Sequence, residues 1–304
     1  MERKVVDYTA NAGTTLRELI EKFGRSGGFT STKVYIAYKI LEEMVNDGEC
    51  TRFISFPACI VATGLRGILA EVIRRRLFDV VITTCGALDH DFARVWADYY
   101  HGDFYANDAE LHARGIHRLG NVFIPKESYG PLLEEKLQDL FSRVIGDEEI
   151  SPSELIKKVA LEINSPSSIF YVAAKNNVEV FVPGIMDGAF GSQLWLYAQK
   201  RRVRLNIIED QNKLADIVFN AKKTGALIIG GGISKHHTIW WNQFRGGLDY
   251  AVYITTAQEY DGSLSGARLR EAISWGKVSV KARYVTVEGD ATVLLPLIIG
   301  PVLR

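Results

Sequence analysis

The sequence predicts an α/β fold, a doubly wound, mainly parallel, Rossmann-like sheet of six or seven strands with helices on both faces. Short apolar runs end in small residues, as residues 79–84 do before the Cys-Gly-Ala turn at 85–87. Such runs alternate with segments whose apolar side chains recur at helical spacing. Because parallel strands need helical crossovers, this order indicates helices on both sides of the sheet.

The first fifty residues favour helices. Apolar residues recur at helical spacing in residues 14–23 and 32–46, and the glycine-rich stretch 24–28 predicts a loop between them. The period of the apolar residues changes at residue 51. We therefore expect an N-terminal helical extension at residues 1–50 and one larger domain at residues 51–304.

From residue 51 onward strands and helices alternate, and residues 100–150 are the least regular part. We interpret that part as an insertion in one domain, because predicted strands resume directly after it. The predicted strands are residues 53–56, 79–84, 121–124, 169–174, 179–182, 203–208, 226–229, 250–255 and 278–287. The predicted helices are residues 61–76, 89–99, 130–144, 153–162, 192–200, 211–222, 265–275 and from 292 onward.

The composition argues against several classes of protein. The 304 residues carry 36 basic and 36 acidic side chains, without the basic excess that a bulk nucleic-acid binder usually shows. Cys50, Cys59 and Cys85 form no CxxC pair, which argues against a disulfide framework or a zinc site and favours a reducing cytoplasm. There is no apolar signal core, and no run approaches a membrane span in length. We expect a cytoplasmic protein with no metal site.

Glycines and polar residues follow several predicted strands. Gly230–Gly232 ends an apolar run and Lys235-His236-His237 follows, while the turns at Thr84–Gly86 and Asp187 end other strands. Parallel sheets bind ligands just beyond the carboxyl ends of their strands, so these turns predict a ligand site there. The chain has no GxGxxG fingerprint, and a triple glycine alone is more typical of a tight turn.

Lys277 stands directly after Trp275 and Gly276, at the end of a predicted helix. A lysine in an aromatic, apolar setting can lose its proton and act as a nucleophile. Composition alone favours the alternative, a solvated lysine at a helix C-terminus, where a cation is stabilised. For the adjacent histidines, proton transfer by one of them is a better interpretation than zinc binding, and a surface turn is the alternative.

A specific resemblance is carried by the stretches Gly-Gly-Gly-Ile-Ser-Lys-His-His (230–237), 249–263, Ser-Gly-Ala-Arg (265–268), Glu-Ala-Ile-Ser-Trp-Gly-Lys (271–277) and Gly-Asp-Ala (289–291). With these motifs the chain resembles the deoxyhypusine synthase family, and it is most similar to the archaeal branch. Weaker matches run back to about residue 53, and the first fifty residues match only loosely.

The resemblance implies an NAD-dependent transferase. In this family NAD accepts a hydride from spermidine, and the aminobutyl group passes as an imine to an enzyme lysine. The group then passes to one lysine of translation initiation factor 5A, and hydride return gives deoxyhypusine. Lys277 matches the imine-forming lysine and His236 the histidine that moves the proton. The family is a homotetramer with sites between subunits, and the resemblance makes residues 51–304 the NAD-binding domain.

The resemblance also implies the binding residues. Those expected around the polyamine are Glu271, Trp275, Trp240, Ser192, Gly262, Ser263 and Leu264. Asp89 and His90, which follow the Thr84–Gly86 turn, are expected from their place in the sequence to supply another partner for the polyamine. Those expected around NAD are Thr84, Cys85, Gly86, Asp187, Gly231, Thr256, Ala257, Asp290 and Ala291.

Several positions depart from the eukaryotic pattern of the family. Ser192 and Leu264 stand where acidic residues are expected to hold polyamine nitrogens, Trp240 replaces an asparagine, and Ala58-Cys59 replaces a Ser-Asn pair near the cofactor. We therefore expect a tunnel with fewer carboxylates, of which Glu271 is the obvious remaining one. Two other functions stay open: a homospermidine synthase with a diamine acceptor, and a cofactor-binding regulatory homologue without activity.

Overall fold

The computed structural model describes residues 4–303 and confirms the predicted α/β class. Six strands take part in parallel pairings, and helices lie on both sides of them. The chain forms two compact units, one of Met1–Phe56 with Ala215–Arg304 and one of Pro57–Leu214. The division predicted at residue 50 stays a prediction. Within residues 4–303, no helix is both long enough and apolar enough to cross a membrane.

The strands are β1 (Cys50–Phe56), β2 (Val80–Thr83), β3 (Tyr100–His101), β4 (Ile116–Leu119), β5 (Val122–Pro125), β6 (Glu179–Phe181), β7 (Lys223–Ile229), β8 (Leu248–Thr255) and β9 (Val278–Glu288). The first helices are α1 (Leu16–Phe23), α2 (Phe29–Asn46), α3 (Ala58–Val61), α4 (Leu65–Arg74), α5 (Cys85–Trp96), α6 (Asp108–Ala113) and α7 (Gly130–Val144). The others are α8 (Pro152–Ile163), α9 (Ile169–Lys175), α10 (Ala189–Ala198), α11 (Ile207–Asn220), α12 (Gly232–Gln243), α13 (Leu269–Ser274) and α14 (Ala291–Ile299).

In the first unit, four strands pair in parallel in the order β1, β7, β8, β9. β7 and β8 are buried along most of their length, which explains their continuous apolar runs. Helices α2, α12, α13 and α14 contact these strands. The amino end of α1 is fixed by a capping box, in which Thr15 and Glu18 satisfy each other's backbone N–H groups.

In the second unit, β2 and β6 form a parallel pair, and β3, β5 and β4 form a separate antiparallel sheet. The core of this unit is rich in phenylalanine: Phe92, Phe141 and Phe190 are fully buried, and the ring of Phe190 contacts Phe141 edge-on and Phe92 at a tilt. The buried Asp91 carboxylate forms an ion pair with Arg66. A paired buried charge avoids the penalty that a lone one would carry.

The strand predicted at residues 169–174 is wrong, because this segment forms helix α9. Ser168 caps the helix by accepting the N–H of Tyr171, and the distant carboxylate of Asp91 accepts the N–H groups of Ile169 and Phe170. The helix is buried on most sides, so its apolar run resembles that of a buried strand.

The strand predicted at residues 203–208 is also wrong. The segment contributes a single bridge, from Leu205 to Ile150, and α11 begins at Ile207. The Asn206 side chain accepts the N–H groups of Ile208 and Glu209, as an N-cap does. Two predicted helices are also shorter than expected: residues 61–76 contain α4, which begins after α3 has ended at Val61, and residues 265–275 contain α13.

Candidate functional site

The triple glycine connects β7 to α12 through a turn that needs glycine. Gly230 and Gly232 have φ values of 67° and 71°, in the left-handed region that favours glycine. A side chain at Gly231 would place its Cβ 2.5 Å from the Cα atom and 2.1 Å from the Oγ atom of Ser265. The glycines therefore allow the loop that carries Ser265 to approach the start of α12.

Lys277 lies directly before β9 in an aromatic setting and is only 8% exposed. Its Nζ atom is 5.0 Å from the ring centroid of Trp275 and 5.6 Å from that of Trp240. Among residues 4–303, no carboxylate lies within ion-pair distance of this ammonium group. The alternative interpretation of Lys277 as a solvated helix-end lysine is therefore wrong.

His236 lies on α12, one helical turn before Trp240, and its imidazole stacks on that indole at a centroid distance of 5.5 Å. Burial lowers the pKa of His236, and the positive charge of Lys277 lowers it further. Both effects favour a neutral imidazole at neutral pH, which can accept a proton. The alternative of a surface turn is wrong, since residues 235–237 are helical.

His237 follows His236 on α12, and neighbouring residues on a helix do not share one face. Its ring contacts Trp241 edge-on at 6.4 Å, and burial lowers its pKa to about 4, with the nearby charge of His236 as a second cause. The Nε2 atom of His237 and the Nε1 atom of Trp241 are buried without a hydrogen-bond partner in residues 4–303. The two histidines therefore occupy different environments, and only His236 is close to Lys277.

Lys235 is a buried cation, named in the sequence analysis without a role. It is 2% exposed, and its ammonium group donates to the carbonyls of Leu264 and Ala267 at 2.7 and 2.6 Å. The same group lies 3.9 Å from the ring centroid of Tyr253. Burial lowers its pKa to about 8, partly opposed by the negative charge of Glu271. Its position inside the Ser-Lys-His-His motif is the signal that could have identified it.

Several backbone carbonyls of the loop after β8 accept hydrogen bonds from buried side chains. Lys235 holds the carbonyls of Leu264 and Ala267, and Arg268 donates to those of Ala257 and Gly266. Tyr253 donates its hydroxyl to the carbonyl of Ser265. Two buried cations and a tyrosine therefore fix the conformation of residues 257–267.

The remaining predicted residues of this loop are at its surface. Gly262 and Ser263 are exposed, and Gly262 adopts a φ of 70°. Glu271 is also exposed, on the first turn of α13. Trp275 is 65% exposed although its ring contacts the buried ammonium of Lys277, so one face of the indole stays open.

Asp290 is the N-cap of α14, where its carboxylate accepts the N–H of Thr292 at 3.0 Å. Ala291 begins that helix, and Thr256 and Ala257 follow β8. Asp290 is exposed, and its carboxylate keeps acceptor capacity beyond the cap. The role of Asp290 predicted at the NAD site is compatible with this position and stays a prediction.

In the second unit, Thr84, Cys85 and Gly86 form the start of α5. The hydroxyl of Thr84 is buried without a hydrogen-bond partner in residues 4–303. Burial raises the pKa of the Cys85 thiol to about 12, with the negative charge of Asp89 as the next cause. A Cβ atom on Gly86 would lie 3.0 Å from that of Ala58, so this turn is closely packed.

Asp89 and His90 are already engaged inside the second unit. The buried Asp89 carboxylate accepts the N–H groups of Ala189 and Phe190 at 2.8 and 2.7 Å and the hydroxyl of Tyr129 at 3.2 Å. His90 Nδ1 lies 2.9 Å from the hydroxyl of Tyr99, and burial lowers its pKa to about 4.

Two other predicted residues of the second unit lie around the start of α10. Asp187 is exposed two residues before the helix begins. Ser192 is exposed on α10 and donates its hydroxyl to the carbonyl of Gly188 at 3.0 Å. The structure therefore brings together Lys277, His236, Trp240 and Trp275 in the first unit, while the second unit carries its own separate group of predicted residues.

The deoxyhypusine synthase family model matches residues 18–302 of this chain. The chain belongs to the deoxyhypusine synthase family. It is 57% identical to a Picrophilus torridus protein named probable deoxyhypusine synthase, across 100% of this chain and 98% of that protein. A Thermoplasma acidophilum protein of the same name is 56% identical over the same shares of the two chains. The resemblance read from the motifs, including its archaeal character, is confirmed.

The fold is also that of a solved structure from another branch of life. A crystal structure of a candidate deoxyhypusine synthase from Entamoeba histolytica matches with a TM-score of 0.67 at 21% identity. The match covers 98% of this chain and 96% of that one. The deoxyhypusine synthase fold is therefore shared along nearly the whole chain.

Proposed function

We propose that this protein transfers the aminobutyl group of spermidine to one lysine of translation initiation factor 5A, in an NAD-dependent reaction that gives deoxyhypusine. Membership of the deoxyhypusine synthase family supports this class of transferase. The observation that carries the proposal is the setting of Lys277, a buried amine beside two indole rings and without a carboxylate partner in the described chain. An amine in such a setting can act as a nucleophile toward an imine carbon.

The roles of the side chains follow from this setting. The Lys277 amine attacks the C=N carbon of oxidised spermidine, a C–N bond forms to Nζ, and diaminopropane leaves as the amine. His236 accepts and returns the proton that this exchange moves, since burial lowers its pKa and favours the neutral imidazole. The faces of Trp240 and Trp275 hold the cationic chain by cation–π contact, and Glu271 supplies the negative charge. The acceptor lysine then displaces Lys277 by the same exchange.

NAD, when bound, accepts a hydride from spermidine and returns one to the final imine. One local feature supports a cofactor at the matched positions: the buried Thr84 hydroxyl has an unused hydrogen-bonding capacity. The residues proposed to hold NAD are Thr84, Cys85, Gly86, Asp187, Gly231, Thr256, Ala257, Asp290 and Ala291. We propose a homotetramer and a cytoplasmic location, as the resemblance and the cysteine content predict.

Labelled spermidine, with NAD and either factor 5A or putrescine as the acceptor, tests the proposal. We expect diaminopropane release and label on the factor. Label in homospermidine would instead assign a diamine acceptor. NAD binding without any diaminopropane release would indicate a regulatory homologue.

A substitution at Lys277 tests the covalent step. Lys277→Arg keeps the positive charge but cannot form the imine, so we expect no transfer and unchanged NAD binding. Borohydride with NAD and labelled spermidine should trap label on the wild-type chain and on the control Lys281→Arg, which changes an exposed lysine of β9. Undiminished transfer by Lys277→Arg would refute the role of Lys277.

A further inference from the structure

Residues 97–110 of the second unit form an acidic and aromatic surface, here called the 97–110 surface. The stretch Ala-Asp-Tyr-Tyr-His-Gly-Asp-Phe-Tyr-Ala-Asn-Asp-Ala-Glu contains four carboxylates and no lysine or arginine. All four carboxylates are exposed. Because the whole chain has equal numbers of acidic and basic side chains, 36 of each, this acidic excess is local.

Three aromatic side chains of this surface project into solvent. Tyr100 is 57% exposed, Phe104 is 63% exposed and Tyr105 is 95% exposed. Local contacts fix their backbone: Tyr100 lies on β3, which pairs with β5, and Asp103 accepts the N–H of Tyr105 at 3.0 Å. Gly120 leaves room for the ring of Phe104. The rings are therefore held at the surface, and their open faces are available to a partner.

Of the four carboxylates of the 97–110 surface, one forms an ion pair within the described chain. Arg118 pairs with Asp108 through two bonds of 2.6 and 2.7 Å. Within the described chain, Asp98, Asp103 and Glu110 have no lysine or arginine at ion-pair distance. Open aromatic faces beside unpaired carboxylates suit ammonium and guanidinium groups, which bind to both.

We propose that the 97–110 surface docks a basic, lysine-bearing segment of the protein that accepts the aminobutyl group. This inference rests on the proposed function in so far as the acceptor is a protein. Charge complementarity favours this occupant, because an acidic surface attracts a positively charged segment, whereas the same surface of a second copy is itself acidic. Because the acidic surface attracts the positive charge of the partner, the affinity should fall strongly as the salt concentration rises.

A peptide assay measures the docking directly. Fluorescence anisotropy on the full-length enzyme compares a fluorescein-labelled Gly-Lys repeat peptide with a Gly-Glu repeat of the same length. The variant Asp98→Asn/Asp103→Asn/Glu110→Gln removes three charges and keeps an oxygen acceptor at each position. We expect it to weaken Gly-Lys binding by about tenfold and to flatten the salt dependence. The control Asp147→Asn/Glu148→Gln neutralises exposed acids elsewhere in the same unit and should bind as the wild type does.

The enzymatic assay separates docking from chemistry. In the triple variant the KM for factor 5A should rise by about tenfold, while diaminopropane release without the factor stays unchanged. Equal binding and equal KM in the triple variant and the wild type would overturn the inference. A changed oligomeric state of the triple variant by light scattering would also overturn it, since the surface would then contact another copy. A third outcome is possible, in which the triple variant loses peptide binding but the wild type does not transfer the aminobutyl group to factor 5A. That outcome supports the docking surface and refutes the proposed acceptor.

Discussion

The buried charge of Lys235 gives a measurable dependence of stability on pH. Burial lowers the pKa of this lysine from 10.5 to about 8, and the positive charges of Arg268 and Lys277 act in the same direction, against Glu271. Between about pH 8 and pH 10.5 the unfolded chain therefore binds more protons at this position than the folded chain does. The cost of burying the charge is fully present below about pH 8 and is relieved as the pH rises to 10.5.

The magnitude follows from the pKa shift and the hydrogen bonds. The shift corresponds to a cost of about 3 kcal/mol at pH 7, of which about 2 kcal/mol is relieved by pH 9.5. Lys235→Met removes this cost, but it leaves the carbonyls of Leu264 and Ala267 without their donor, which costs about 1–3 kcal/mol each. It also removes the contact with Tyr253, of about 1–2 kcal/mol. We expect the variant to be less stable by about 2 kcal/mol at pH 7 and about 4 kcal/mol at pH 9.5.

Urea unfolding followed by tryptophan fluorescence, at pH 7 and at pH 9.5, measures this difference. Subtracting the wild-type stability from that of Lys235→Met at each pH removes the contribution of every other titrating group. The exposed Lys281→Met serves as the control and should show the same small difference at both pH values. A gap between wild type and Lys235→Met that is equal at both pH values would show that the Lys235 pKa is not lowered by folding.

Two further predictions concern the candidate site. Asp290→Ala and Asp290→Asn should both weaken NAD binding, measured by calorimetry. Only Asp290→Ala, which removes the cap of α14, should also lower the free energy of unfolding, by about 1 kcal/mol. An unchanged dissociation constant for NAD in the Asp290→Asn variant would show that Asp290 is not part of the cofactor site. Trp240→Ala removes a ring near Lys277 and His236, and should raise the KM for spermidine roughly five- to thirtyfold, equivalent to about 1–2 kcal/mol, without changing NAD affinity. The exposed Phe219→Ala is the matched control, and an equal KM in both variants would place Trp240 outside the polyamine site.

Local signals in the sequence were sufficient for most of the fold. The strands β7 and β8 are continuous apolar runs between turns, and α7 was predicted with its observed ends. The sequence failed at α9, where, beside the local cap from Ser168, the N–H groups of Ile169 and Phe170 bond to the carboxylate of Asp91, a residue far away in the chain. A bond of that kind has no local pattern, and the helix is buried like a strand. At α11 the sequence does contain a local signal for the start of the helix, because Asn206 acts as an N-cap. The prediction failed because residues 203–208 were interpreted as a strand.

In the candidate site, too, some residues could be predicted from the sequence and others could not. The motif indicated Lys277 and His236, and both lie beside Trp240. Lys235 fixes the loop after β8 by donating to carbonyls about thirty residues away in the chain, and the Lys235 side chain is almost completely buried. Tertiary burial and long-range bonds of this kind cannot be derived from the order of residues in one segment.

The three cysteines differ in exposure, so a dye can be attached to one of them without engineering the protein. At neutral pH the Cys85 thiol, whose pKa is raised to about 12, contains about a thousandfold less thiolate than an ordinary cysteine. Cys50 is buried as well, whereas Cys59 is exposed. A maleimide dye should therefore react at Cys59 alone. Residue 59 belongs to the segment that the family resemblance assigns to the neighbourhood of the cofactor, so the dye could report the binding of NAD in the native chain.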